Sequence, residues 1–128
     1  MDLLIVTHGT FGAALLDAAS EIVGRKPGVQ ALGLPLREGA DDLSRWVGEA
    51  LAGSEPSGGL LILVDFAGGT PDNVARRLSQ GRKAAVVTGL NMPMLIHALS
   101  HRDEDLGVLA EGCIAAGASG MRVSARPR

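Results

Sequence analysis

The feature that most restricts the fold is an uninterrupted apolar run, Leu60–Val64, which is followed by the charged residue Asp65. A strand with one face in water alternates apolar and polar residues, whereas this run has no polar position. Such a run is typical of a strand that is buried on both faces of a parallel sheet. Residues 3–6 have the same character near the start of the chain. We therefore expect a sheet with helices on both of its faces.

Segments with helical periodicity alternate with the apolar runs. Further strands are predicted at Val29–Leu34 and at residues 84–87. Helices are predicted to begin at Thr10, near Leu43, at Thr70 (with its hydroxyl as the N-cap), at Asn91 and at Asp103. This alternation predicts a single domain over residues 1–128 with a three-layer α/β fold and a mostly parallel sheet of four strands.

Two of the predicted helices have apolar stripes that we expect to face the sheet. The first stripe consists of Phe11, Leu15, Ala18, Ala19 and Ile22. The second consists of Leu106, Leu109, Ala110, Cys113 and Ile114. Cys113 lies on the second of these stripes, and Trp46 lies on the inner stripe of the helix predicted near Leu43, so both side chains are predicted to lie in the core.

Composition excludes several classes of protein. Twelve basic and 14 acidic residues give a net charge of -2, which provides no electrostatic footprint for nucleic acid. Two phenylalanines, one tryptophan and no tyrosine leave almost no side chains to stack on bases or flavins. The longest apolar run is far shorter than the roughly 20 residues of a membrane span, and the first residues have no basic region typical of a signal peptide. With a single cysteine, the chain is predicted to be cytoplasmic.

Three predicted strands are followed by segments rich in glycine and small polar residues. These segments are residues 7–10, 65–71 and 88–93. The carboxyl ends of parallel strands meet at one edge of a sheet, and ligands bind outside that edge. If the first and third strands are neighbours, His8 and Asp65 come within hydrogen-bonding distance.

Such a pair has a direct chemical use. A carboxylate that accepts a hydrogen bond from Nδ1 fixes the imidazole tautomer and leaves the Nε2 lone pair accessible as a nucleophile toward a phosphoryl group. The backbone at Gly9, Gly68 and Gly69 and the hydroxyl of Thr70 are the predicted donors to the phosphoryl oxygens. The predicted site therefore transfers phosphoryl groups without a metal or an organic cofactor.

Residues 4–9, 63–71 with Asn73, and 89–95 together resemble the IIA component of the mannose family of the bacterial sugar phosphotransferase system. The resemblance implies that His8 receives a phosphoryl group at Nε2 from the histidine-containing phosphocarrier protein (HPr) and passes it to a IIB component, with Asp65 as the orienting partner. It also implies a homodimer that contacts the membrane only indirectly, through IIC and IID components. Residues 120–124 would form an antiparallel edge strand, which the resemblance allows to be exchanged between subunits.

The segment Asn91, Met92, Pro93 and Met94 follows the fourth strand and is predicted to provide an adaptable apolar surface for partner proteins. The sequence departs from the family at Phe66 and Ala67, which stand where the family often has a tryptophan next to the glycine pair. We expect this departure to alter the surface that faces the partner.

Two alternatives to a sugar-transport role stay open at this point. One is a regulatory or binding module whose partners change with phosphorylation, and the other is the phosphotransfer subunit of a dihydroxyacetone kinase system. His97 and His101 lie four residues apart, but metal ligation needs further ligands, and only Asp103 or Glu104 is close in sequence. We therefore predict a solvated helix end there and no metal site.

Overall fold

The computed structural model describes residues 1–35, 37, 39–54 and 58–128. Strands and helices alternate along the described part of the chain, and one further helix follows the last pair. The elements are β1 Asp2–His8, α1 Phe11–Val23, β2 Val29–Leu34, α2 Ala40–Ala52, β3 Leu60–Val64, α3 Thr70–Leu78, β4 Ala84–Thr88, α4 Met92–Ser100 and α5 Leu106–Ser119.

The four strands form one parallel sheet in the order β2-β1-β3-β4. The first and third strands are therefore neighbours, and Val6 is in register with Val64. β1 continues two residues further to His8, while Asp65 directly follows β3. Both residues consequently lie at the carboxyl edge of the sheet.

The core consists of two apolar clusters, one on each face of the sheet. Leu3 and Ile5 belong to the cluster that contains residues of α1, α4 and α5, whereas Leu4 and Val6 belong to the cluster that contains residues of α2 and α3. Successive side chains of a strand point to opposite faces, so β1 contributes to both clusters. The predicted three-layer α/β fold is confirmed.

The predicted stripe of α1 was wrong at both of its ends. Phe11 and Ile22 are 46% and 63% exposed. Within the stripe, Ala18 is also exposed, whereas Leu15 is half-buried and Ala19 is buried as predicted. The other buried residue of α1 is Gly12, which the stripe did not include. A Cβ atom at position 12 would stand 2.7 Å from Cγ2 of Ile5, so the bare glycine permits a close approach of α1 to β1 on the face that also contains Ala19.

The last helix follows its predicted pattern in part. Leu109 and Cys113 are buried as predicted, whereas Ile114 is 49% exposed. Burial, reinforced by the negative charge of Glu104, raises the pKa of the Cys113 thiol to about 11, so the thiol is neutral. Trp46 in α2, which was predicted to lie in the core, is only half-buried and packs against the apolar cluster that contains residues of α2 and α3.

Three predicted helix starts have different outcomes. Asn91 is the N-cap of α4, as predicted, and its side chain accepts a hydrogen bond from the backbone of Met94. The N-cap of α3 is Gly69 and not Thr70, because Thr70 already belongs to the helix. α5 begins at Leu106 with Asp105 as its cap, so the predicted start at Asp103 was too early.

The antiparallel strand predicted over residues 120–124 is not formed within this chain. Gly120 ends α5, and residues 121–128 form neither helix nor strand. A Cβ atom on Gly120 would overlap the ring of Pro93, so the end of α5 lies against the start of α4. The segment therefore leaves from a helical layer and not beside a strand. In the described part of the chain, no helix has the length and apolarity required to cross a membrane.

Gly33 in β2 controls the backbone that follows His8. A Cβ atom at position 33 would overlap the carbonyl oxygen of Gly9, which lies directly beside it. The backbone N–H of Gly9 also donates a hydrogen bond to the carbonyl oxygen of Leu34 over 2.8 Å. β2 therefore supports the turn after β1 only if residue 33 has no side chain.

We predict that Gly33→Ala lowers the free energy of unfolding by about 1–3 kcal/mol, because the added methyl group must displace the Gly9 backbone. Urea unfolding monitored by circular dichroism measures the loss. Gly48→Ala in α2 is the control, since an added Cβ meets open space there and alanine is the better helix former. Equal stability of the Gly33 variant and the unsubstituted protein would contradict the contact.

Candidate active site

His8 and Asp65 form a hydrogen-bonded pair at the carboxyl edge of the sheet. Nδ1 of His8 lies 2.8 Å from Oδ2 of Asp65, and the backbone N–H of His8 donates to the same oxygen over 2.9 Å. The His8 side chain is 43% exposed, whereas the Asp65 side chain is only 11% exposed. With the carboxylate accepting from Nδ1–H, the Nε2 lone pair is the nucleophile of the ring.

The carboxylate of Asp65 is stabilised in its charged form. Burial raises the pKa of Asp65, but hydrogen bonds from the backbone and imidazole of His8 and from the backbone of Phe66 outweigh burial. The pKa of Asp65 therefore lies below its ordinary value of 3.8. A charged carboxylate beside Nδ1 also stabilises the positive charge that the ring gains when Nε2 forms a bond.

Phe66 packs directly against the imidazole of His8. The two ring centroids are 5.0 Å apart and their planes differ by 6°, which is an offset stack. Sequence reasoning identified Phe66 only as a change on the partner-facing surface and missed this contact. The signal available was its position beside Asp65, which places it next to any group that Asp65 binds.

The glycine-rich segment after Asp65 is fixed by a buried acid. Asp72 is 4% exposed and accepts a hydrogen bond from the backbone N–H of Gly68 over 2.9 Å. Nη1 of the Arg76 guanidinium lies 3.6 Å from Oδ2 of Asp72, the oxygen that also accepts the hydrogen bond from Gly68. Gly68 has a φ of +89°, a backbone conformation that residues with a side chain rarely adopt.

Two of the predicted phosphoryl-binding donors are therefore already used within the protein. The N–H of Gly68 is bonded to Asp72, and the N–H of Gly9 is bonded to Leu34. Both N–H groups thus have internal acceptors in this structure, and the phosphoryl-binding role of Gly9 and Gly68 stays a prediction. Gly69 and Thr70 lie at the start of α3, where the positive end of the helix dipole attracts anions.

Residues 91–94, which were predicted to form a docking surface for partner proteins, are partly buried. Met94 is 3% exposed and belongs to the core, which corrects its predicted place on the surface. The amide of Asn91 donates to the carbonyl oxygen of Gly117 and accepts from Met94, so it joins α4 to α5. Met92 and Pro93 retain intermediate exposure.

His97, His101 and Glu104 bring potential ligand atoms within 4.8 Å of one another. Nδ1 of His101 is hydrogen-bonded to the carbonyl oxygen of His97, and Nε2 of His97 is buried with no hydrogen-bond partner among the described residues. The two rings are stacked with centroids 4.0 Å apart and planes 16° apart. Lone pairs in nearly parallel planes do not converge on one point, so this arrangement does not form a metal-binding geometry.

Comparison with known proteins gives a consistent result. The EIIA-man family model, described as PTS system fructose IIA component, matches residues 2–111. The mannose-specific EIIAB component of Escherichia coli strain K12 is 34% identical over 104 residues, which are 80% of this chain and 32% of that protein. The chain therefore spans about a third of the length of that relative. The fructose-specific EIIA component of Bacillus subtilis is 30% identical over 80% of this chain and 71% of that protein.

A solved structure agrees with these relatives. The mannose/sorbose-specific IIA subunit of the phosphotransferase system from Enterococcus faecalis superimposes with a TM-score of 0.88 and 27% sequence identity. The match covers 99% of this chain and 96% of the other.

We predict that the acid sensitivity of folding depends on Asp65. A carboxylate with a lowered pKa contributes stability that is present above its unfolded-state value of about 4 and is lost as the pH falls through the folded-state value. The free energy of unfolding of the unsubstituted protein should therefore fall below about pH 4, and Asp65→Asn should remove part of this dependence. Denaturant unfolding at several pH values between 2 and 7 provides the measurement.

Asp17→Asn is the matched control for this experiment, because Asp17 is an exposed carboxylate on α1. That variant should keep the acid profile of the unsubstituted protein. If both variants showed the same profile, the hydrogen bonds to Asp65 would contribute nothing to the pH dependence.

Proposed function

Because this chain belongs to the EIIA-man family of the sugar phosphotransferase system, we propose that it carries a phosphoryl group on Nε2 of His8. The observation that supports this proposal most strongly is the 2.8 Å contact between Nδ1 of His8 and Asp65. That contact fixes the tautomer in which Nε2 is the nucleophile. The half-exposed ring can then meet a donor protein without a conformational change.

The proposed donor is the phosphohistidine of the histidine-containing phosphocarrier protein, HPr. The Nε2 lone pair of His8 attacks phosphorus, and the bond between phosphorus and the donor imidazole nitrogen breaks. The electron pair of that bond returns to the donor nitrogen. The His8 ring becomes cationic as it gains its N–P bond, and the Asp65 carboxylate stabilises this charge through Nδ1–H.

The second transfer is the reverse of the first at His8. A histidine of a IIB component attacks the phosphoryl group, the Nε2–phosphorus bond breaks, and its electron pair returns to Nε2. Thr70 and the N-terminus of α3 would donate hydrogen bonds to the equatorial oxygens in both steps. No metal or organic cofactor is required, since phosphoryl transfer of this kind depends on positioning and electrostatics.

The proposal extends to assembly. Residues 121–128 form no strand within the chain, and Met121 and Val123 in this segment are 70% and 59% exposed. A homodimer in which residues 120–124 add an edge strand to a sheet would cover these apolar side chains. The protein would contact the membrane only through the IIC and IID components of a transporter.

His8→Gln should abolish phosphorylation, because glutamine has no nucleophilic ring nitrogen. The test incubates the protein with phosphoenolpyruvate and the general phosphotransfer proteins, including HPr, and maps the phosphorylated residue by mass spectrometry at neutral pH. His97→Gln and His101→Gln are the matched controls and should be labelled like the unsubstituted protein. Labelling of the His8 variant at the normal level would refute the assignment.

Asp65→Asn should slow phosphoryl transfer from HPr by roughly 10- to 100-fold, because it replaces a charge-assisted hydrogen bond to the ring. Rapid-quench kinetics measure the rate, and circular dichroism verifies that the variant is folded. An unchanged transfer rate in the folded variant would show that Asp65 does not orient His8.

A further inference from the structure

The hydrogen bond to Asp65 fixes one atom of the His8 ring but not the orientation of the ring plane. An imidazole held only at Nδ1 can still tilt about that contact, which moves Nε2 sideways. The His8 side chain is 43% exposed, so the hydrogen bond to Asp65 has to be supplemented by packing on the covered part of the ring if such tilting is to be prevented. Reaction rates depend steeply on such displacements, because a nucleophile must be aligned with the bond that breaks.

Two further groups enclose the ring. The phenyl ring of Phe66 covers one face of the imidazole, at 5.0 Å between centroids and with the planes nearly parallel. Gly69 lies at the Cε1 edge, where an added Cβ would stand 3.0 Å from Cε1 of His8 and 3.1 Å from Cζ of Phe66. The α-carbon of Gly69 therefore lies where the two rings meet.

The groups that hold the ring are coupled through one carboxylate. The backbone N–H of Phe66 donates to Oδ1 of Asp65 over 3.0 Å, while Nδ1 of His8 contacts Oδ2. Asp65 thus fixes both the imidazole and the backbone of the residue that stacks on it. A stack tied in this way costs little further backbone entropy when it forms, because the backbone of Phe66 is already held.

We infer that Phe66 is a positioning residue that, together with the bare α-carbon of Gly69, holds the His8 imidazole in the orientation that presents Nε2 to phosphoryl donors. This inference rests on the proposed phosphoryl transfer by His8. Phe66 acts through the imidazole and makes no contact with the phosphoryl group. Asp65 fixes the tautomer of the His8 imidazole, and Phe66 and Gly69 fix the orientation of the plane of this ring.

The stack also favours the charge that develops during transfer. The face of a phenyl ring carries partial negative charge and attracts cations. The imidazole gains positive charge as the Nε2–phosphorus bond forms, so its attraction to Phe66 increases at that moment. An aliphatic side chain of similar volume provides contact area but lacks this electrostatic attraction.

Four variants separate these contributions. Phe66→Leu removes the aromatic face, and Phe66→Trp keeps it. Gly69→Ala places a methyl group against the edges of both rings without backbone strain, since residue 69 has an extended conformation (φ -80°, ψ 173°). Gly39→Ala is the matched control, because Gly39 is also an extended N-cap (φ -97°, ψ 175°) and no described atom lies within 4 Å of an added Cβ.

Transfer from phosphorylated HPr should show a split between kcat and KM. Phe66→Leu and Gly69→Ala should lower kcat about three- to tenfold with little change in KM, while Phe66→Trp and Gly39→Ala should stay close to the unsubstituted protein. A change in KM alone for Phe66→Leu would mean that Phe66 only contacts the partner, and that result would overturn the inference. Normal kcat in both Phe66→Leu and Gly69→Ala would overturn it as well.

A second readout does not depend on transfer. Nuclear magnetic resonance relaxation of the Cε1–H group of His8 in the unphosphorylated protein measures how tightly the ring is held. The order parameter should fall in Phe66→Leu and Gly69→Ala and stay unchanged in Gly39→Ala. If the unsubstituted protein accepts no phosphoryl group, the proposed function fails. If the order parameter is the same in all variants, the inference about Phe66 and Gly69 fails by itself.

Discussion

The site depends on the side chain of Asp65, which accepts three hydrogen bonds from the end of β1 and from its own loop. Two come from the backbone and ring of His8, and one comes from the backbone of Phe66. The carboxylate thereby joins two parallel strands at the edge where they end. Its lowered pKa reflects the same bonds, because each N–H donor favours the charged form. Folding and chemical reactivity therefore share one set of contacts.

Much of the fold and the main pair of the site follow from local patterns. The apolar run Leu60–Val64 predicts a doubly covered strand by itself, and the structure contains β3 over those same residues. The proximity of His8 and Asp65 follows from parallel strands with a common edge, which needs no knowledge of side-chain packing. Such predictions succeed because strand polarity and burial are encoded in short, continuous segments.

The remaining features depend on distances that sequence patterns do not contain. The inner face of α1 is set by the close approach of Gly12 to β1, which leaves the two ends of the predicted stripe, Phe11 and Ile22, exposed. Whether a backbone N–H is available to a ligand depends on which acceptor folds next to it, and only the structure shows that Asp72 lies against Gly68. The stack of Phe66 on His8 likewise requires the rotamers of both side chains.

The internal bonds of Gly9 and Gly68 have a consequence for energetics. A high-affinity phosphate-binding site surrounds the anion with hydrogen-bond donors and so lowers the free energy of the bound phosphate strongly. In this protein, the two amide N–H groups are instead hydrogen-bonded to internal acceptors. An intermediate in a relay has to remain almost isoenergetic with the species before and after it, because a deep minimum would halt onward passage. If His8 carries a phosphoryl group as proposed, sparse solvation of the phosphoryl oxygens by the protein would preserve a high group-transfer potential on the imidazole.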